Sequence, residues 1–205
     1  MRLFGNSATF SRIILSVALG MTLTMLVVRT GLFAYALIKG VPIPSPETFP
    51  VDVFMANNHQ IVNQSKDIYL VDLSGHLLFF KPPIGLQLYS GFYTIIIWGC
   101  LSLIIYLTRK IIQTTVKGNP FVKENGKRLR TIACMFLIVP LILKEWQNYL
   151  VSSVVPSIKI DDVTLVASNA NEVVIISFAA GIFFLFLSEV FRIGTSVKDE
   201  NELTV

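Results

Sequence analysis

The sequence predicts an all-α membrane protein: a four-helix transmembrane bundle, both termini cytoplasmic, with a small extracytoplasmic antiparallel β cap. Three observations lead there. The 205 residues are 53% hydrophobic and only 15% charged, with a mean hydropathy of +0.67. About 20 consecutive apolar residues suffice to cross a bilayer as a helix, and four windows have that length, at about residues 13–38, 88–107, 131–151 and 173–191. Finally, Lys and Arg concentrate in one central stretch, where Arg109, Lys110, Lys117, Lys123, Lys127, Arg128 and Arg130 stand between two apolar runs. Such loops stay in the cytoplasm.

Span one, Ile13–Ile38, follows Arg2 and Arg12. Its length exceeds the apolar core of a secretion signal, and Arg29 interrupts it, so it reads as a retained anchor despite the small-x-small Ala34-Tyr35-Ala36. The first outer loop, about 40–83, opens with prolines 42, 44 and 46, which force an extended exit. Short β-rich runs follow at Val51–Met55, Ile68–Asp72 and His76–Phe80, the last two flanking Leu73-Ser74-Gly75 as a hairpin turn. Ile158-Lys159-Ile160 and Val163–Ala167, in the second outer loop of about 152–172, read as another hairpin. A lone pair of strands is marginal in water, so the two hairpins are expected to combine into four or five strands.

Span two, Leu88–Leu107, continues through Arg109-Lys110-Ile111-Ile112 and breaks at Gly118. Asn119 is a favourable N-cap and Pro120 is preorganised for the first helical position, so a new helix is expected to run from there into span three. The cytoplasmic loop, about 108–130, thus becomes two helix ends joined by a turn. Pro140 lies within span three, Thr131–Val151, and removes one backbone hydrogen bond. Span four, Val173–Phe191, leads into an acidic tail.

Orientation follows from counting. With the N-terminus inside, Arg2, Arg12, the seven central cations, Arg192 and Lys198 are cytoplasmic, against Lys66, Lys81 and Lys159 outside. The net charge of +4 therefore reflects topology and contact with anionic lipid, not direct nucleic-acid binding.

Few residues suggest chemistry. Arg29 and Glu145 fall at similar depth in the outer halves of spans one and three, where an unpaired charge is costly. They form a candidate intramembrane pair, against the plainer reading of interfacial anchoring beside Trp146 and Tyr149. Glu189 and Arg192, three apart, share a helix face. The tail Ser196–Val205 carries Lys198, Asp199, Glu200 and Glu202 and faces the basic Lys127-Arg128-Leu129-Arg130. Cys100 and Cys134 read as packing residues, and His59 and His76 have no ligand cluster around them. No catalytic triad, phosphate-binding loop or zinc motif is present, so neither an enzyme nor a cofactor is expected.

Gly118-Asn119-Pro120-Phe121, Arg128-Leu129-Arg130, Glu189-Val190-Phe191-Arg192-Ile193-Gly194 and Glu200-Asn201-Glu202-Leu203-Thr204-Val205 carry a resemblance. In order and spacing they resemble a family of uncharacterised four-span bacterial membrane proteins, domain of unknown function 2975. The resemblance implies a bacterial cytoplasmic (inner) membrane protein. The family's genes often stand beside small helix-turn-helix regulators, which implies a regulatory or sensory protein binding such a cytoplasmic partner. Asn119, Pro120, Phe121, Arg128, Arg130, Glu189, Arg192 and Glu202 are the expected partner surface. A small transporter or channel-like component using Arg29 and Glu145, or a structural subunit of a membrane complex, are the alternatives.

Overall fold

The computed structural model describes residues 2–40, 47–55, 73–79, 84–154, 163–167 and 171–203. In chain order these are α1 (Arg2–Lys39), β1 (Glu47–Met55), β2 (Leu73–Phe79), α2 (Ile84–Val116), α3 (Lys123–Val154), β3 (Val163–Ala167) and α4 (Asn171–Leu203). Each helix extends well beyond its apolar window. Neither α1 nor α2 contains a single Asp or Glu.

Among the described residues, three helical segments are long and apolar enough to cross a membrane. They are Phe10–Lys39, Gln87–Val116 and Val173–Asn201, with mean hydropathies of 1.9, 1.8 and 2.4. Their large side chains are mostly exposed, including Met21, Val27, Ile175, Ile176 and Phe186, as lipid-facing surface requires. In α3, Arg130 and Lys144 bracket the apolar stretch Thr131–Leu143. At 1.5 Å per residue that stretch covers about 20 Å, short of the roughly 30 Å hydrocarbon core.

The helices pack in a row: α1 against α2, α2 less extensively against α3, and α3 most extensively against α4. Among the described residues no comparable contact closes α4 onto α1. The pairs α1–α2 and α3–α4 each form a two-helix seam.

The strands form one antiparallel sheet in the order β2-β1-β3. Glu47–Val53 of β1 pairs with β2 from Phe79 to Leu73, and Val51–Met55 pairs with β3 from Ala167 to Val163. Proline cannot donate to a ladder and is normally confined to strand edges. Pro50 satisfies that rule inside the central strand, because β3 pairing begins only at Val51.

The expected fold class is therefore corrected. Among the described residues the bundle of four spans gives way to a row of helices, of which three qualify as spans, and a three-stranded sheet stands in place of the cap of two hairpins and four or five strands. Leu73-Ser74-Gly75 is not a turn; it lies inside β2, opposite Val51–Val53. Two apolar runs close in sequence imitate a hairpin, whereas the pairing used here joins segments far apart in the chain. Ile68–Asp72, Ile158–Ile160, His59 and the proline exit at 42–46 lie outside the described residues.

Candidate functional site

The basic end of the molecule is organised by the turn between α2 and α3. Gly118 ends α2 with a φ of +83°, which glycine adopts without steric cost. Its N–H donates to the Thr115 carbonyl (3.0 Å), and the Asn119 N–H reaches back to the Thr114 carbonyl (3.1 Å). This pair of bonds is a Schellman termination and satisfies the last carbonyls of the helix.

Asn119 does not cap α3. The helix starts at Lys123, and its first turn is closed by the Asn125 N–H on the Val122 carbonyl (2.9 Å). The residue that holds the turn is Asn125, whose side chain is fully buried. Its Nδ2 donates to Thr114 Oγ1 (2.7 Å) and to the Pro120 carbonyl (2.8 Å), while its Oδ1 accepts from Arg128 Nη1 (2.7 Å). One amide thus ties the last turn of α2, the connecting turn and the second turn of α3. Burial is affordable because its hydrogen-bonding groups are used.

The α3–α4 seam continues from this turn. On α4 the sheltered positions include Val174, Ser177, Gly181, Phe184, Ser188, Phe191, Thr195 and Lys198. Their alternating spacing of three and four is the heptad signature of helices wound together. Gly181, Ser188 and Thr195 are seven apart and small, which lets the backbones approach closely. A Cβ on Gly181 would stand 2.6 Å from Leu137 Cγ and 3.3 Å from the Ala133 carbonyl oxygen. Ile132 and Ala133 are completely buried there, and Phe136 stacks on Phe184 with centroids 5.6 Å apart. Ser188 Oγ donates across the seam to the Gly126 carbonyl (2.9 Å).

At the basic end, Phe121 packs on Phe191 (5.5 Å between centroids) and fills the space over Gly194. The helix α4 runs on to Leu203, so Ser196–Leu203 is helical. Lys198 Nζ donates to Asn119 Oδ1 (3.1 Å), and Asp199 pairs with Lys123 at 3.8 Å. The tail therefore meets the turn and the start of α3, not Arg128 and Arg130 as the charge pattern suggested. Arg128 is held by Asn125, and Arg130 is exposed. Glu189 and Arg192 form an ion pair on the exposed face of α4, with Arg192 Nε 3.0 Å from both carboxylate oxygens. Glu202 lies in the last turn of α4.

Arg29 and Glu145 are not brought together: α1 packs on α2, and no ion pair joins them among the described residues. Glu145 instead lines an open groove of about 920 Å³ between α2 and α3, with Gly85, Leu88, Tyr89, Phe92, Leu141, Ile142, Trp146 and Tyr149. Among the described lining residues it is the one carboxylate, set among aromatic rings; Trp146 lies 6.0 Å from Tyr89 and 6.4 Å from Phe92.

The small residues Ala179, Ala180 and Gly181 of span four are legible as a place for close helix contact, and Gly181 is where it occurs. Sequence reasoning missed Asn125, Ser188 and Thr195; the signal for Ser188 and Thr195 was the heptad on α4, obscured because small and polar residues occupy positions where an apolar stripe is usually sought.

Three long apolar helices and a charged, hydrogen-bonded end define an integral membrane protein. Over residues 49–205 the chain matches the family described as "Protein of unknown function (DUF2975)", and it belongs to that family. No curated protein and no solved structure matches it.

Proposed function

We propose that this is a regulatory or sensory protein of a bacterial cytoplasmic membrane, and that its inner face holds a soluble partner such as a helix-turn-helix regulator. The observation that carries this reading is the continuous helical extension of the α3–α4 pair past its apolar part. That end is packed by Phe121 and Phe191 and pinned by Lys198 and Lys123. It presents Asn119, Arg130, Glu189 and Arg192 on exposed faces, with Phe121 itself 38% exposed. Charged rims around an exposed aromatic side chain suit protein recognition. A signal entering at the α2–α3 groove would act on α3 directly, and α3 forms one wall of both groove and seam.

The test is a pull-down of tagged protein from native membranes in mild detergent. A soluble regulator should co-purify with the wild type and be lost with Arg130→Glu, whose side chain supports no part of the turn. Recovery of no soluble protein, or equal recovery with the variant, would sink the proposal.

The groove also favours a second reading, a small transporter using Glu145. Flux into liposomes by the wild type, abolished by Glu145→Ala, would support that reading; no flux from either would end it.

A further inference from the structure

We propose that the basic end of the α1–α2 seam binds the phosphate of an anionic phospholipid between Arg12 and Arg109. The two helices meet along facing stripes. On α1, Arg12, Leu15, Leu19, Thr22, Leu26, Arg29, Phe33 and Ala36 alternate by three and four, and so do Gly91, Ile95, Trp98, Ser102, Ile105 and Arg109 on α2. Buried Thr22, Phe33, Ala36, Gly91 and Ser102 mark the contact, and the Phe33 ring covers Gly91, which fixes the register. From that contact Arg12 lies about 31 Å along α1 and Arg109 about 27 Å along α2, the same level to within a helical turn. Both arginines therefore sit on the seam at its basic end.

Each has its Nε buried and without a hydrogen-bond partner among the described residues. Arginine stays charged, and a buried donor without an acceptor is costly. Neither helix carries a carboxylate. Among the described side chains of the other two helices, Glu145 lies in the groove at the opposite end of α3, Glu189 is held by Arg192 and Asp199 by Lys123, while Glu124 and Glu200 are exposed at α3's start and α4's end. Two guanidinium groups at one level repel, and an oxyanion between them reverses the sign of that interaction. Guanidinium and phosphate match in a two-pronged geometry that Lys does not reproduce.

The surroundings favour a lipid over a soluble phosphate. Ile13, Ile14 and Val17 on α1 and Leu103 and Tyr106 on α2 are exposed and apolar just beside the arginines, where acyl chains would lie. Lys110 Nζ, 5.5 Å from the Tyr106 ring centroid, adds a third cation. The site is then at headgroup depth in the leaflet whose lipids are anionic.

The experiment uses the full chain in detergent micelles, titrated with phosphatidylglycerol, phosphatidylcholine or inorganic phosphate, with melting temperature and native mass spectrometry as readouts. Phosphatidylglycerol should raise the melting temperature and give a discrete bound lipid; the other two should not. Arg109→Gln and Arg12→Gln should weaken the lipid on the order of tenfold, and Arg130→Gln, an equally basic but exposed position, should leave it unchanged. If Arg12→Gln does not fold, Arg109→Lys decides, because it keeps the charge and loses the fork: weakening supports the clamp, wild-type binding overturns it. Equal stabilisation of all variants would mean a diffuse charge effect, and an equal shift with inorganic phosphate would mean a soluble ligand. Either overturns the proposal, and neither depends on the pull-down above.

Discussion

The two helix seams are built from similar parts and differ in how completely they are finished. Both use a glycine to admit a large side chain, Phe33 over Gly91 in one and Leu137 over Gly181 in the other. In the α3–α4 seam the polar groups are answered from within. Ser188 donates to Gly126, Thr195 Oγ1 to the Phe191 carbonyl, and Asn125 holds the turn beside them. In the α1–α2 seam Ser102 Oγ, Arg12 Nε and Arg109 Nε are buried without a partner among the described residues. One seam is complete as protein; the other is arranged for company. On the two proposals above, α3–α4 would transmit and α1–α2 would engage the membrane.

The sharpest way to break the contrast is at Asn125. Asn125→Leu removes a buried amide and strands the Pro120 carbonyl, so a loss of about 2–4 kcal/mol is expected, read as a fall in melting temperature in detergent. An unchanged melting temperature would mean the turn does not hold the seam together. Gly181→Val comes next, because the Ala133 backbone oxygen at 3.3 Å cannot rotate away. About 1–3 kcal/mol of overpacking is expected, and disulfide trapping between Cys pairs placed on α3 and α4 should slow as the helices part.

Gly91→Ala tests the other seam. A Cβ there meets the Phe33 ring first, the movable end of a side chain, so about 1 kcal/mol is expected. Adding Phe33→Leu should restore most of it; a double variant no better than the single would show that the collision involves more than the ring. The smallest effect belongs to Lys198→Ala. Its exposed bond to Asn119 should contribute under about 1 kcal/mol, and hydrogen exchange at the end of α4 should rise while the melting temperature holds. A large drop in melting temperature would make the helix end as structural as Asn125.

What was legible in the sequence was local. Gly118 announced the end of α2, and the cluster from Arg109 to Arg130 announced a basic end, because each acts through its own backbone or charge. What was illegible depended on partners elsewhere. Asn119 looked like a cap by its type, yet Asn125 took the central place because its amide reaches Thr114 and Pro120 at once. Arg29 and Glu145 matched in depth, but depth does not say which helices touch. The α4 stripe carried the right period with unexpected residues, since small side chains contribute close approach more than buried area. Strand pairing was the hardest to read, because β1 chooses both its neighbours from beyond its own stretch of chain.

That choice has a consequence for how the molecule is made. As the chain emerges, β1 can pair with β2 once the latter has appeared, but its Val51–Met55 side has no partner until α2 and α3 have followed. The β1 edge therefore stays open until β3 has been made, the kind of edge that invites pairing with another copy. Pro50, which can donate no ladder bond, stands just before β3 pairing begins. The sheet is thus completed by a strand from the second half of the chain, which ties the two halves together on one side of the molecule.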